Sequence, residues 1–303
     1  MRTYRLGTRA SKLARTQSAA VRAELERLNP GATFTEVLLT SAGDADSISP
    51  LPSIGGEGIF VGELERALRA DEIDLAVHSL KDVPIKEAGR LTLAAIGSRE
   101  DARDVLVSQN GWTLATLPRG ARVGTCSLRR SAQLLAARPD LTLFPLRGNV
   151  DSRVRQVRDG AFDAIVLAAA GLHRLGMHDA VAEYLPLDQM LPAPAQGALA
   201  VQCRDDDLQT WSAIAPLNET PVRAATDAER GFLEGLGGGC TAPIAAYAVI
   251  DAPGRLHLRT VVASLDGQRL LKLEETGNVN DGRALGLALA ARARANGAAE
   301  LLA

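Results

Sequence analysis

Apolar residues in this chain fall into two spacings that alternate along its length. Short, nearly unbroken apolar runs predict strands over Thr3–Leu6, Thr33–Thr40, Ile73–His78, Leu91–Ile96, Val105–Ser108, Arg122–Thr125, Leu141–Leu146, Ala164–Ala168 and Ala198–Gln202. Between them the spacing becomes helical. Leu13, Ala14, Gln17, Ala20, Val21, Leu25 and Leu28 recur every three or four residues until Asn29-Pro30-Gly31 ends the run. Helices are likewise predicted over Ile59–Ala70 and Val150–Arg158. Strands alternating with helices imply mostly parallel sheets covered on both faces, the doubly wound α/β class.

The pattern breaks in two places and then changes. Ser98–Asp104 is charged and lacks large apolar residues, and Leu191–Gly197 is proline-rich, so both are expected to carry the chain between lobes. From Pro221 a helix to Leu236 precedes strands at Ile244–Ile250, Leu256–Leu265 and Leu270–Glu275 and a last helix near Asp281–Asn296, which suggests a small α+β domain with a three-stranded sheet. The expected domains are residues 1–98 with 198–217, residues 103–193, and residues 218–303.

Polar residues punctuate the strand ends. Ile73–His78 runs into Ser79-Leu80-Lys81-Asp82-Val83-Pro84, as a buried strand does at the open edge of an α/β sheet, where ligands bind. Read alone, Lys81 and Asp82 are either a solvated pair capping a strand or the polar groups of a site. Leu6-Gly7-Thr8-Arg9 leads through Ser11 into a helix, and the N–H groups of that helix start, with Ser11 as cap and Arg9 alongside, form an anion site. Val123-Gly124-Thr125-Cys126-Ser127-Leu128-Arg129-Arg130 repeats this arrangement with one residue fewer in the turn. Arg147 and Arg174 each follow a strand, and Arg153 sits early in the next helix, whereas Arg155 and Arg158 read as surface residues. The turn-rich stretch Ser41–Gly58 is either a lid or a disordered segment.

Composition narrows the partners. At 303 residues several domains are expected, and a formal charge of −2 with 3% aromatic residues gives neither the basic field nor the stacking platforms of a nucleic-acid binder. Three cysteines, Cys126, Cys203 and Cys240, form no CxxC spacing, which suits a reducing compartment. The first residues lack an apolar signal core, and no run of about 18 apolar residues occurs. A cytoplasmic protein with no membrane partner is expected. Four scattered histidines support no metal site, and His78 reads as a structural residue. There is no GxxxxGK[ST] and no GxSxG motif.

Two functions survive: an enzyme acting on a polyanionic small molecule, or a two-lobed module that closes on an anion without chemistry. A cleft lined by Arg9, Ser11, Lys81, Ser127, Arg129, Arg130, Arg147, Arg153 and Arg174 suits a ligand bearing several carboxylates. A binder has no use for Asp82 among those cations. Nor does it need Cys240, which sits between Gly237-Gly238-Gly239 and Pro243 on an open loop suited to a covalent group, although a buried structural thiol is the default for any cysteine and is kept for Cys126 and Cys203.

Gly7-Thr-Arg-Ala-Ser-Lys-Leu-Ala-Arg-Thr-Gln17, Ala76-Val-His-Ser-Leu-Lys-Asp-Val-Pro84, Val123-Gly-Thr-Cys-Ser-Leu-Arg-Arg130, Leu146-Arg-Gly-Asn-Val150, Leu191-Pro-Ala-Pro-Ala-Gln-Gly-Ala198 and Gly238-Gly-Cys-Thr-Ala-Pro-Ile244 together resemble the porphobilinogen deaminase, or hydroxymethylbilane synthase, family. The likeness runs in order through nearly the whole chain. It implies two lobes similar to periplasmic binding proteins and a transferase that joins four porphobilinogen units head to tail, releasing ammonia each time, in tetrapyrrole synthesis. It also implies a dipyrromethane cofactor held by a thioether to Cys240 and catalysis by Asp82; separately, a monomer is expected.

By the same resemblance, Lys81, Asp82, Ser127, Arg129, Arg130, Arg147 and Arg153 hold the cofactor, and Arg9, Ser11, Arg147, Arg153 and Arg174 bind substrate. Each porphobilinogen carries an acetate and a propionate, which accounts for the arginines. Loss of ammonia leaves a cationic azafulvene that a carboxylate can stabilise. The chain departs from the family pattern at Glu57 and Gly62, where lysines are usual, at Cys126 in place of serine, and at Ala195 in place of glycine.

Overall fold

The computed structural model describes residues 2–40, 61–85, 89–97, 99–239 and 242–302. The expected loop Ser41–Gly58, the predicted helix start at Ile59 and Phe60, and Cys240 lie outside the described residues. The chain forms two compact units, Met1–Arg99 with Ala198–Arg223, and Glu100–Gly197 with Ala224–Ala303.

In the first unit, β1 (Arg2–Arg9), β2 (Ala32–Leu39), β3 (Leu75–Ser79), β4 (Leu91–Gly97) and β10 (Leu199–Arg204) form one sheet in the order β2-β1-β3-β10-β4. β1 pairs in parallel with β2 and β3, while β10 runs antiparallel to both β3 and β4, so four strands point one way and one points back. β1 is longer than its apolar run because Gly7, Thr8 and Arg9 continue the ladder opposite Val37, Leu38 and Leu39.

Both faces of this sheet are buried. On one, α1 (Lys12–Leu28) packs Val21 and Leu25 against Leu6, Phe34 and Leu75, and Tyr4 stacks on Phe34 at 4.9 Å. On the other, α2 (Gly62–Arg69) packs Leu64 and Leu68 against Ile73 and Ala76. Leu75 and Ala76 thus alternate between faces, as a strand's period of two requires. Truncating a fully buried residue such as Leu25 to alanine should cost about 2–5 kcal/mol. A further helix, α6 (Leu208–Ile214), begins at Asp207, whose Oδ1 accepts from Thr210 N at 3.0 Å.

The second unit repeats this plan. β5 (Asp104–Ser108), β6 (Arg122–Gly124), β7 (Thr142–Phe144), β8 (Ala164–Ala168) and β9 (Glu183–Tyr184) lie in the order β7-β6-β8-β5-β9, again with one strand, β5, reversed. The connecting helices are α3 (Leu128–Ala137), α4 (Val150–Arg158) and α5 (Ala169–Arg174). β7 is half the expected length because Pro145 removes the next ladder donor.

Two details show how closely the sheets match. Arg5 N and Nη2 each donate to Asp74 at 2.7 Å just before β3, and Arg122 N and Nη2 donate to Asp163 at 2.7 and 3.2 Å just before β8. Gly7 and Gly124 occupy equivalent strand positions where an added Cβ would run into Ile73 and Ile165 respectively.

The second unit also holds an antiparallel sheet of β11 (Ile244–Ala252), β12 (Arg255–Ala263) and β13 (Leu270–Asn278), with α7 (Thr220–Leu236), α8 (Gly282–Ala295) and α9 (Ala298–Leu302). Residues 218–223 belong to the first unit and bond within it: Asn218 Oδ1 accepts from Ile96 N at 3.0 Å, and Arg223 Nη2 donates to Leu93 O at 3.0 Å. No helix among the described residues is long and apolar enough to cross a membrane.

Candidate active site

In each unit the parallel strands end on one sheet edge, and the polar residues singled out from the sequence lie there. In the first unit β1 ends at Arg9, and Ser11, in an extended conformation, caps α1 by accepting from Ala14 N at 3.3 Å. β3 ends at Ser79, and a single 3-10 turn spans Leu80–Asp82. Leu80 is fully buried and donates its N–H to Ala198 O at 3.0 Å; Val83, also buried, closes the turn on Leu80 O at 3.1 Å. Lys81 and Asp82 are thereby held half-buried between two anchored apolar residues. Gln17 Nε2 donates to Ser79 Oγ at 3.0 Å, tying α1 to the end of β3.

The Asp82 carboxylate makes no hydrogen bond or ion pair with any of the described residues. It is therefore not the salt-bridge partner of Lys81. His78, two residues before Leu80, is buried and bonds through Nε2 to Gln202 Oε1 at 3.0 Å. Burial lowers its pKa to about 4, helped by the charge of Arg9 and opposed by the Gln202 bond, so the ring is neutral near pH 7 and serves to link β3 to β10.

In the second unit β6 leads through Thr125 to Ser127, which caps α3 by accepting from Arg130 N at 3.4 Å; Ser127 N in turn donates to Thr125 Oγ1 at 3.1 Å. Cys126, between them, is exposed rather than buried, because it sits in the turn beyond the strand's last paired residue. After β7, buried Leu146 anchors the chain, Arg147 follows half-buried, and Gly148 turns at φ +104°. Arg153 Nε donates to Gly148 O at 2.7 Å, which places it beside that turn. At the end of α5, Arg174 Nη2 donates to Gly197 O at 2.7 Å; burial pulls its pKa down and Glu100 pulls it back up. Arg155 and Arg158 are exposed.

Arg129 and Arg130 are buried, in contact with a carboxylate that sequence reasoning missed. Asp104 opens β5 opposite Ala168, the last residue of β8, and is completely buried. Arg129 Nη1 donates to its Oδ2 at 2.7 Å, and Arg130 Nε and Nη2 donate to its Oδ1 at 3.1 and 2.7 Å. Gln196 Nε2 adds a bond to Oδ1 at 3.0 Å. Burial alone would raise the Asp104 pKa, but the two guanidiniums outweigh it and hold the group well below the usual carboxylate range. The available signal was an acidic residue in the first position of a fully apolar strand.

Comparison with known proteins decides the family. Residues 4–212 match the model described as porphobilinogen deaminase, dipyromethane cofactor binding domain, and residues 224–295 match porphobilinogen deaminase, C-terminal domain. The chain belongs to the porphobilinogen deaminase family. It is 48% identical over 301 residues to a porphobilinogen deaminase of Roseiflexus sp. (strain RS-1), covering 99% of each chain. It is 45% identical over 303 residues to that of Brevibacillus brevis, covering 100% of this chain and 97% of the relative.

Among solved structures, the methionine binding protein MetQ is similar over 71% of this chain and 89% of its own, with a TM-score of 0.47 and 14% identity. The activity of this chain is the head-to-tail joining of porphobilinogen into hydroxymethylbilane, and its cofactor is dipyrromethane. The donor set suits such a group. A dipyrromethane made from two substrate units carries an acetate and a propionate on each ring, and the second unit's sheet edge bears Arg129, Arg130, Arg147, Arg153 and the capped helix start at Ser127.

Proposed function

We propose that Asp82 is the catalytic carboxylate and that Cys240 carries the dipyrromethane through a thioether. Lys81, Asp82, Ser127, Arg129, Arg130, Arg147 and Arg153 hold the cofactor, and Arg9, Ser11, Arg147, Arg153 and Arg174 bind the carboxylates of porphobilinogen. When bound, the cofactor supplies the pyrrole end on which the chain is built.

The observation that carries this reading is the Asp82 carboxylate, fixed on an anchored turn and engaged by none of the described residues. Departure of ammonia from a substrate unit leaves positive charge on it, which a fixed, partly desolvated carboxylate offsets. The same oxygens can take and return the protons that the pyrrole ring exchanges. His78 is a poor competitor for this role because it is buried and already bonded to Gln202. Arg9, at the end of β1, and the helix start at Ser11 offer the substrate carboxylates a guanidinium and the first backbone N–H groups of α1.

Chemistry narrows the choice of cysteine. Cys203 lies wholly inside the first sheet, and burial, helped by the charge of Asp207, pushes its thiol up to about 12, so it is a poor nucleophile. That leaves Cys126, which is exposed, and Cys240, which lies outside the described residues. The glycine loop and the family motif favour Cys240.

We also divide the chain into three domains, residues 1–98 with 198–217, 103–193 and 218–303, a division supported by the three separate sheets. We read the protein as a cytoplasmic monomer without nucleic-acid or membrane partners, in keeping with its charge of −2 and sparse aromatic residues.

Intact mass under denaturing conditions, followed by peptide mapping, tests the attachment. The expected result is an excess of two pyrrole units located on Cys240. An active enzyme with no adduct, or with the adduct on Cys126, would contradict it.

A further inference from the structure

Two arginines in the first turn of a helix are out of place. The positive end of the helix dipole disfavours cations there, yet α3 opens with Arg129 and Arg130 and has no acidic residue in that turn. Both are buried, at 5% and 8% exposure, and a buried cation is costly unless paired. Among the described residues, Asp104 is the one carboxylate that either contacts; their other acceptors, Leu191 O for Arg129 and Val166 O for Arg130, are neutral carbonyls. Two guanidiniums against one carboxylate leave one buried positive charge over.

The fold itself does not require this arrangement. The first unit builds the same sheet and the same capped strand-to-helix turn, but there Leu13 and Ala14 hold the second and third positions after the cap, where the second unit has Arg129 and Arg130, and both are outside the buried set. The position of Asp104, opposite the last residue of β8, corresponds in the first unit to Leu199, opposite Ser79, the last residue of β3. The cluster is an addition to a shared scaffold.

We infer that Asp104 is a positioning residue for cofactor binding: it holds Arg129 and Arg130 as a buried pair and neutralises one of them, leaving a single surplus charge for one cofactor carboxylate. This rests on the reading that the pair receives the cofactor. Arg130 is fixed from two nitrogens onto one oxygen of Asp104 and Arg129 from one nitrogen onto the other, so the carboxylate sets the direction of both side chains. Gln196, bonded to Asp104 and to Ala102 O at 2.7 Å, holds the carboxylate in turn. The bare chain can then fold with only one uncompensated charge, and loading of the cofactor removes it.

The test is thermal melting of the full chain made in cells unable to form porphobilinogen, its mass matching the bare sequence, before and after incubation with porphobilinogen. Asp104→Asn should lower the melting point of the bare chain by about 5 °C or more, and loading should recover at least half of that deficit. Asp104→Asn combined with Arg130→Met removes one charge of each sign and should melt above Asp104→Asn alone; it also decides the matter if the single variant does not fold. Equal deficits in the bare and loaded forms, or a double variant no more stable than the single one, would reduce Asp104 to a packing role. Arg130→Met alone reports on the underlying reading. If loading stabilises that variant as much as the unaltered chain, the pair does not hold the cofactor, and the inference falls for that separate reason.

Discussion

Arg130 places two of its nitrogens on a single oxygen of Asp104, at 3.1 and 2.7 Å, in a pocket where Asp104 has no exposure to water. The contact joins the first turn of α3 to the first residue of β5, elements that are 25 or so residues apart in sequence. Its strength depends on Asp104 being ionised, which gives it a pH signature.

The Asp104 pKa lies below its unfolded value, so this group contributes stability in full above the unfolded pKa of about 4 and loses that contribution as pH falls further. The gap in unfolding free energy between the unaltered chain and Asp104→Asn should be widest at pH 7 and should narrow between pH 4 and pH 3. Denaturant titrations at these values would show it. A constant gap would mean that the ionised pair is not what Asp104 contributes.

His78 titrates in a different window. Its pKa falls from an ordinary 6.5 to about 4, so the folded protein binds fewer protons than the unfolded chain. Stability is full above pH 6.5 and declines as pH drops toward 4, by about 3 kcal/mol if the whole shift is expressed. His78→Gln should flatten the curve between pH 6.5 and 4.5 and leave the acid limb due to Asp104 in place. An unchanged slope would show that the ring is protonated in the folded state.

Much of the fold could be read from periodicity because the strands are buried on both faces and the long helices carry plain caps. Ser11 before α1 and the apolar run of β3 are examples. What escaped notice depends on contacts between distant residues. Asp104 looked like the end of a charged crossing, since its partners lie in a helix that starts more than twenty residues later. Asp207, the last of three consecutive aspartates, caps α6, a helix the sequence pattern does not mark because exposed Leu208 and Trp211 give it little apolar periodicity. Two-residue β9 is too short to leave any pattern. The sheet edges that hold Asp82, Ser127 and the arginines were readable because each polar cluster follows an apolar strand directly. That Arg129 and Arg130 are buried was not.

Arg147 follows β7 directly and Arg153 lies in the first turns of α4, and both are half-buried. If they hold carboxylates, Arg147→Leu or Arg153→Leu removes a charged hydrogen bond worth about 1.5–3 kcal/mol, roughly ten- to hundredfold in kcat/KM. Some of these variants should fail at cofactor assembly and others at chain extension, which the ladder of adduct masses distinguishes. Normal turnover together with a normal ladder in both would remove the pair from the binding set.

The central claim is that Asp82 acts on the chemistry and does not support the fold, and it is tested most directly by measuring turnover and thermal melting together in Asp82→Asn. The side chain gives up no hydrogen bond or ion pair among the described residues, so the melting point should stay within about 1–2 °C of the unaltered chain. Turnover per folded molecule should fall by about 10²-fold or more, since a neutral amide neither offsets the developing cation nor exchanges its protons. A folded Asp82→Asn enzyme with near-normal turnover would contradict the account.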